Sequence, residues 1–257
     1  MKVAVISTQS SAGKTSIMIT LGAVLAKLKR RHVYYMSTGT LVNFFRPYPE
    51  SDIVRWGRPA ELSNAINSND IGLAEALTVS LTQYGDYPIC SFDDSTPTDR
   101  KADIYGGLPK LIGNMDLALL EVANDTPYDL AKAMIDKSNL VLIIAEQSMN
   151  TVQDIKDVIA KYDLKDNYRV IINKYDANIS SLKSIESMMK LPKGSKLISI
   201  PYNPTLAKYM DQCMYHNAIP KIVKAEAGFT GIRAGIYEIL KTIYSGVKYI
   251  PEVSEWA

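Results

Sequence analysis

The N-terminal segment constrains the fold of this chain most, because it joins a short apolar run, a loop of small residues and a helical pattern. The run Val3–Ile6 is typical of a strand buried on both faces, and Gly13-Lys14-Thr15 opens the helical pattern that follows. A strand, a small-residue loop and a helix in this order predict a nucleotide phosphate site. Loop N–H groups and the helix N-terminus would face the phosphates, Lys14 would reach the β- and γ-phosphates, and the Thr15 hydroxyl would ligate Mg²⁺. The predicted phosphate-binding residues are Ser10, Ser11, Ala12, Gly13, Lys14, Thr15 and Ser16.

The loop departs from the usual pattern G-x-x-x-x-G-K-S/T, because Thr8 occupies the position of its first glycine. The alternative is an ordinary strand-to-helix turn, in which Thr8 or Ser10 caps the helix and Lys14 is solvated. The location of the loop directly after the first buried strand favours the phosphate site.

Composition indicates a cytoplasmic globular protein with one domain spanning 1–257. The chain has 257 residues, of which 47% are hydrophobic, and a formal net charge of +2, so nothing in its charge demands nucleic acid or a membrane. Two cysteines are too few for a disulfide framework and fit a reducing compartment. No targeting segment precedes the first strand, and no apolar run reaches the ~18 residues of a membrane span.

Apolar runs alternate with helical patterns along the chain, which predicts an α/β fold with a doubly wound, mostly parallel sheet of about seven strands flanked by helices. The predicted strands are Val3–Ser7, Val33–Ser37, Pro88–Phe92, Asp116–Val122, Leu140–Glu146, Tyr168–Asn173 and Lys196–Ile200. The predicted helices are 14–29, 70–84, 103–113, 126–137, 151–162, 179–190, 204–215 and 230–245. Residues 43–68, with several prolines and arginines, are interpreted as a mobile surface segment.

The phosphate loop and the helix after it resemble the ParA/MinD family of P-loop ATPases, whose loop reads K-G-G-x-G-K-T-T. Ala12, Thr15-Ser16 and the helix Ile17–Ala26 follow the family pattern. In that family the first lysine reaches the phosphates of a partner subunit, so the resemblance implies an ATP-dependent homodimer. Here Gln9 stands at the position of that lysine, and serines replace both glycines. The chain therefore resembles a degenerate member.

The resemblance also identifies a Walker-B strand. The family reads D-x-x-x-x-D, and Asp116–Glu121 has this spacing with Glu121 in place of the second Asp. Lys14 and Glu121 are the predicted catalytic residues. Thr15 and Glu121 are the predicted Mg²⁺ ligands, with Glu121 acting through a water. The alternative is a strand-end glutamate in a salt bridge. Asn124 and Asp125 are the candidate switch loop that senses the γ-phosphate.

The second switch lacks the acid that orients the attacking water in the family. The second strand runs into Ser37-Thr38-Gly39, where the family has D-x-D. Because phosphoryl transfer depends on positioning and charge stabilisation, these losses should impair hydrolysis more than binding.

Two motifs are candidates for base recognition. Asn173-Lys174-Tyr175-Asp176 has the letters of the guanine-reading N-K-x-D motif, whereas ParA/MinD proteins carry an adenine-binding Asn at this place. Pro201, Tyr202 and Asn203 resemble the family loop that packs on adenine. Adenine is preferred because Ras-like D-x-x-G is absent after Glu121. The alternatives are guanine recognition and a structural turn at Asn173.

The resemblance implies ATP or ADP and Mg²⁺ as cofactors. Atypical phosphate loops also occur in the TadZ/CpaE branch of the family. This similarity implies a weak or inactive ATPase that acts as a localisation or scaffold factor for a pilus, secretion or conjugation apparatus. Such a factor would bind a protein partner of that apparatus. The alternative is an active ATPase for plasmid or chromosome partitioning or for cell-division positioning; a metabolic P-loop synthase is a third class. The basic cluster at 27–32 is interpreted as cations that complement the C-terminus of the first helix, and DNA or lipid contact is the alternative. The predicted location is cytoplasmic, with a peripheral position at the membrane or cell pole as a possibility that the family allows.

Overall fold

The computed structural model describes residues 1–27, 33–37, 68, 79–80, 88–90, 117–189, 191, 197–212 and 214–245. The chain divides into two compact units. The first comprises Met1–Ala4 with Gly22–Asn139, and the second comprises Val5–Leu21 with Leu140–Ala257. Strand β1 (Lys2–Ser7) begins in the first unit and ends in the second, and helix α1 (Lys14–Lys27) begins in the second and ends in the first.

The first unit contains a mostly parallel sheet. Its strands, in chain order after β1, are β2 (Val33–Ser37), β3 (Val79–Ser80), β4 (Pro88–Cys90) and β5 (Leu117–Glu121), and helix α2 is Tyr128–Asp136. Their spatial order is β3-β4-β2-β5-β1, with β2 parallel to β4 and β5, and β3 antiparallel to β4. Every residue of β5 is buried, as expected for a strand covered on both faces.

The second unit carries the parallel strands β6 (Leu140–Glu146), β7 (Tyr168–Tyr175) and β8 (Ile198–Pro201), in the order β1-β6-β7-β8. Its helices are α3 (Thr151–Lys161), α4 (Leu182–Met189), α5 (Pro204–Asp211), α6 (Tyr215–Val223) and α7 (Thr230–Tyr244). The first six residues of β6 are buried, and α7 buries one stripe toward the core. The buried stripe of α7 consists of Ile232, Gly235, Ile236, Ile239, Leu240 and Ile243.

The predicted fold class is confirmed, and each predicted strand overlaps an observed one. The predicted number of strands is wrong, because the described residues contain eight strand segments, of which five have five or more residues. The predicted helix 70–84 is wrong at 79–80, where Val79 and Ser80 pair with β4. Helix 103–113 and nearly all of segment 43–68 lie outside the described residues. Among the helices that the structure describes, none is long and apolar enough to cross a bilayer.

Helix α7 lies close to β8 because glycines face the strand. A Cβ built on Gly235 would lie 2.6 Å from the backbone oxygen of Ser199, and one on Gly231 would lie 2.8 Å from Cγ of Pro201. Real Cβ atoms do not approach other atoms this closely, so a larger residue would push the helix from the strand.

We expect Gly235→Ala to lower the free energy of unfolding by about 1–3 kcal/mol, the usual cost of overpacking. The direction of this change in stability is informative, because glycine-to-alanine changes inside helices normally stabilise a protein by roughly 0.5–1 kcal/mol. Urea unfolding measures the change, with exposed Ala234→Ser as a control that should stay within about 0.5 kcal/mol. A more stable Gly235→Ala protein would contradict the close packing.

Candidate functional site

The loop after β1 ends in a left-handed glycine directly before a helix. The Thr8 N–H donates to the Ile144 carbonyl of β6 at 3.1 Å, and the Ala12 N–H donates to the Gln9 carbonyl at 3.3 Å. Gly13 lies in the left-handed region, with φ 88°, and α1 begins at the next residue, Lys14. A left-handed residue before a helix turns successive N–H groups toward one side, where the helix N-terminus also attracts negative charge. This arrangement of Gly13 and Lys14 is the one that the phosphate-site interpretation predicts.

Lys14 is buried at the base of this loop, with only 5% of its surface exposed. Its Nζ donates to Ser7 Oγ at 2.7 Å, and that hydroxyl donates in turn to the Gln9 carbonyl at 2.7 Å. The solvated lysine of the alternative interpretation is therefore excluded. A bound phosphate would add a full negative charge beside a buried ammonium, which is the partner that such a group favours most.

Strand β7 holds the loop from the other side. Asn173 Nδ2 donates to the Ala12 carbonyl at 2.8 Å, and Lys174 Nζ donates to the Ser11 carbonyl at 3.2 Å. Because a trans peptide directs its C=O and N–H in opposite directions, holding the Ala12 carbonyl turns the Gly13 N–H away from β7. These two side chains therefore orient the loop.

Gly13 has no room for a side chain. Its Cβ would overlap Nδ2 of Asn173, and its φ is one that side chains with a Cβ avoid. We expect Gly13→Ala to lower the free energy of unfolding by about 1–3 kcal/mol and to displace the loop. The matched control is Gly228→Ala, because Gly228 has φ 85° but its Cβ would meet only one atom, at 4.0 Å. Urea unfolding of both variants separates the cost of the steric overlap from the cost of the left-handed backbone. If both variants lost the same free energy of unfolding, the overlap with Asn173 would carry no cost of its own.

Glu146, at the end of β6, holds two residues of this site. Gln9 Nε2 donates to Glu146 Oε2 at 3.0 Å, and Lys174 Nζ lies 3.1 Å from the same oxygen. The side chain of Glu146 is 28% exposed and that of Lys174 is 37% exposed. Gln9, which occupies the position of the family's first lysine, is therefore bound by its own chain.

A cleft of about 420 Å³ opens beside the loop. This volume lies within the range of small-molecule sites. Ser11, Gly13 and Ser16 line one side, and Asn173 and Lys174 line another. The remaining lining residues are Ile17, Thr20, Ile200, Pro201, Tyr202, Asn203, Leu206, Ala207, Met210, Asp211, Ile232 and Ile236.

The loop after β8 contributes the predicted residues Pro201, Tyr202 and Asn203 to this cleft. The side chain of Asn203 has a structural role: its Oδ1 accepts the Leu206 N–H at 2.7 Å as the cap of α5, and its Nδ2 donates to the Gly228 carbonyl at 2.6 Å. These two bonds fix the orientation of the Asn203 side chain at the edge of the cleft.

The family model described as the CobQ/CobB/MinD/ParA nucleotide binding domain matches residues 3–214. The chain belongs to this family. No curated protein matches the chain.

Solved structures of the family share its fold. The MinC:MinD cell division protein complex of Aquifex aeolicus is similar at 17% identity and TM-score 0.66, covering 97% of each chain. A ParA family ATPase of Chlorobium tepidum TLS is similar at 11% identity and TM-score 0.69, covering 91% of this chain and 98% of that one. The septum site-determining protein MinD of Pyrococcus horikoshii OT3, complexed with Mg-ADP, is similar at 15% identity and TM-score 0.66, covering 96% of this chain and 99% of that one.

Asp176, the residue of the guanine-reading alternative, stabilises a turn after β7. Its Oδ1 accepts the backbone N–H and the side-chain Nδ2 of Asn178, both at 2.8 Å, and its own N–H donates to Gln147 Oε1 at 2.7 Å. Asp176 is not one of the described residues that line the cleft. This placement gives no support to guanine recognition.

In the first unit, Glu121 ends β5 and lies opposite Ser37 of β2 in the parallel register. Both are buried, at 4% and 1% exposure. A carboxylate buried this deeply is costly unless it is paired or ligates a cation, so the predicted metal role and a structural pairing both fit its burial. Asn124 and Asp125 are exposed in a turn after β5, while Thr38 and Gly39 lie outside the described residues.

Ser7, Glu146 and Lys174 hold the loop or its residues in place and were not among the site residues predicted from the sequence. A signal existed for Glu146, because it ends an apolar strand in the same way as Glu121. Lys174 lies within the Asn173–Asp176 motif and Ser7 ends the first predicted strand, but their contacts depend on how β1 and β7 approach the loop.

Proposed function

We propose that the chain binds a Mg²⁺–adenine nucleotide with its phosphates on the loop and its base in the 420 Å³ cleft. The observation that carries this proposal is the buried Lys14 at the start of α1, next to the left-handed Gly13 that opens to the cleft. Thr15 would hold Mg²⁺ directly and Glu121 through a water, and the ion would neutralise phosphate charge. The Mg-ADP in the MinD structure of Pyrococcus horikoshii OT3 supports the nature of the ligand.

Asn173 supports adenine as the base. Its Nδ2 uses one of its two N–H groups on the Ala12 carbonyl, so Oδ1 and the second N–H are available for a base contact. An amide that accepts from the adenine amino group and donates to a neighbouring ring nitrogen makes the two-point contact typical of adenine recognition.

In a competition assay, we expect unlabelled ATP to displace a labelled adenine nucleotide at a concentration about tenfold or more below that required for GTP. One mismatched hydrogen bond that leaves a polar group unpaired costs ~1–3 kcal/mol, which sets this ratio. GTP competing at the lower concentration would reverse the assignment and return Asp176 to the guanine-reading role.

Hydrolysis is proposed to be slow or absent. Gln9 lacks the charge of the family's first lysine and is bound to Glu146 at 3.0 Å. The second strand ends at Ser37 without the acid of the family's switch, and Glu121 replaces the Walker-B Asp. The first two changes remove a cation that stabilises the transferring phosphate and an acid that orients the attacking water, whereas the third keeps a carboxylate on a longer side chain.

The cellular role that fits such a protein is a localisation or scaffold factor for a pilus, secretion or conjugation apparatus. We place it in the cytoplasm, as one domain spanning 1–257 that forms an ATP-dependent homodimer and holds a protein partner. The support is the resemblance of its loop to the atypical phosphate loops of the TadZ/CpaE branch. A stable positional mark would need the binding without turnover that is proposed above. An active ATPase for partitioning or cell-division positioning is the second candidate, favoured by the fold shared with a ParA family ATPase.

Oligomeric state measured with and without ATP, together with phosphate release on the same sample, distinguishes the two roles. The proposal expects an ATP-dependent dimer without turnover. The same sample is passed over immobilised duplex DNA at physiological ionic strength. Tight, salt-sensitive retention with ATP would favour partitioning, because counterion release makes non-specific DNA binding steeply salt-dependent.

A further inference from the structure

Strand β7 deviates from regular geometry at the point where it meets the phosphate loop. Its register with β8 shifts between Ile172 and Tyr175, and Lys174 has a left-handed backbone with φ 54°. Side chains that follow one another on a regular strand point to opposite faces. Here Asn173 and Lys174 both contact the loop, at the adjacent carbonyls of Ala12 and Ser11. The bulge therefore brings two consecutive side chains to one target.

This conformation is costly for lysine, because a residue with a Cβ is strained in the left-handed region. Strain of this kind persists where the surroundings hold the residue in place, and it is common at functional sites. The bonds from Lys174 Nζ to the Ser11 carbonyl and to Glu146 are the contacts that hold it.

The charges around Lys174 indicate what these contacts do. Glu146 is hydrogen-bonded to Gln9, within the loop that would carry the phosphates. A carboxylate there repels an anionic ligand, and its partial burial limits the screening by solvent. Lys174, at 3.1 Å from Glu146 Oε2, compensates this charge.

We propose that Lys174 is a positioning residue of the phosphate site, which fixes the loop through the Ser11 carbonyl and neutralises Glu146 so that phosphates can bind beside it. The inference rests on the proposed function, because it requires that the loop binds a nucleotide. In this proposal Lys174 of β7 supplies a cation near the loop, where Gln9 stands at the position of the family's first lysine.

The test measures ATP affinity by calorimetry and stability by urea unfolding without nucleotide, for wild type and Lys174→Gly. Glycine relieves the left-handed strain, so stability should be unchanged or higher. ATP affinity should nevertheless fall about tenfold, because the loop loses its anchor at Ser11 and the Glu146 charge is no longer compensated beside the phosphates. Ala225→Gly is the matched control, because Ala225 has φ 50° in the turn after α6, and its affinity should equal that of wild type.

Glu146→Gln added to Lys174→Gly separates charge compensation from simple anchoring. Removing the uncompensated carboxylate should restore affinity by about threefold or more, and the loss in Lys174→Gly should be larger at low salt. Wild-type affinity in Lys174→Gly, or no recovery in the double variant, would overturn the inference and leave the proposed function intact. Absence of ATP binding by wild type would overturn both.

Discussion

Lys14→Ala is expected to weaken ATP binding by tenfold or more. The variant removes a charge-assisted contact with the phosphates worth ~1.5–3 kcal/mol, and every 1.4 kcal/mol is about tenfold in affinity. The structure sharpens this expectation, because Lys14 is 5% exposed and directs its ammonium to Ser7 at the base of the loop. Isothermal calorimetry with Mg²⁺ and ATP measures the change directly.

The matched control is Lys156→Ala, which removes the same charge from an exposed position on α3. Its affinity should equal that of wild type, so that an effect of net charge is excluded. Urea unfolding of Lys14→Ala without nucleotide checks that the loss is not one of folding. Equal ATP affinity in a folded Lys14→Ala protein would refute the phosphate site.

Phosphate release is expected to be slow or undetectable in wild type. An arginine-finger-like cation is worth ~10³–10⁵ in rate where it operates, and Gln9 supplies no such charge. Gln9→Lys should raise the rate only in part, because the new ammonium would lie beside Glu146, which already holds Gln9 at 3.0 Å. Gln9→Lys with Glu146→Gln should raise it further, since the lysine would then be released from its own chain.

These rates are measured by steady-state phosphate release under saturating ATP. Glu146→Gln alone is the control, since it frees Gln9 without adding a cation and should leave the rate low. If neither Gln9→Lys protein exceeds wild type, the missing switch acid after Ser37 is the larger defect.

The sequence predicted the parts of the site that depend on local pattern. Gly13 and Lys14 were predicted because a strand, a small-residue loop and a helix follow one another within a few residues. The contacts of Glu146 and Lys174 depend on the register that places Glu146 opposite Asn173 and on a bulge in β7, neither of which local periodicity encodes.

Three other features of the structure are not among those predicted from the sequence. Asn203-Pro204 is typical of a helix cap followed by its first residue, and the structure uses Asn203 in this way. Helix α6 is not among the predicted helices. Pro220 lies inside it, and an internal proline normally ends a helical pattern. The strand at 79–80 forms by pairing with β4, which local sequence does not encode, and the local pattern there predicts a helix instead.

The most direct test of the account is ATP binding and phosphate release measured together on one sample of wild type, with Lys14→Ala beside it. We expect saturable binding that is at least tenfold weaker in Lys14→Ala, with phosphate release at or near background in both proteins. Brisk release by wild type that is lost in Lys14→Ala would contradict the claim that this chain holds its nucleotide without turning it over.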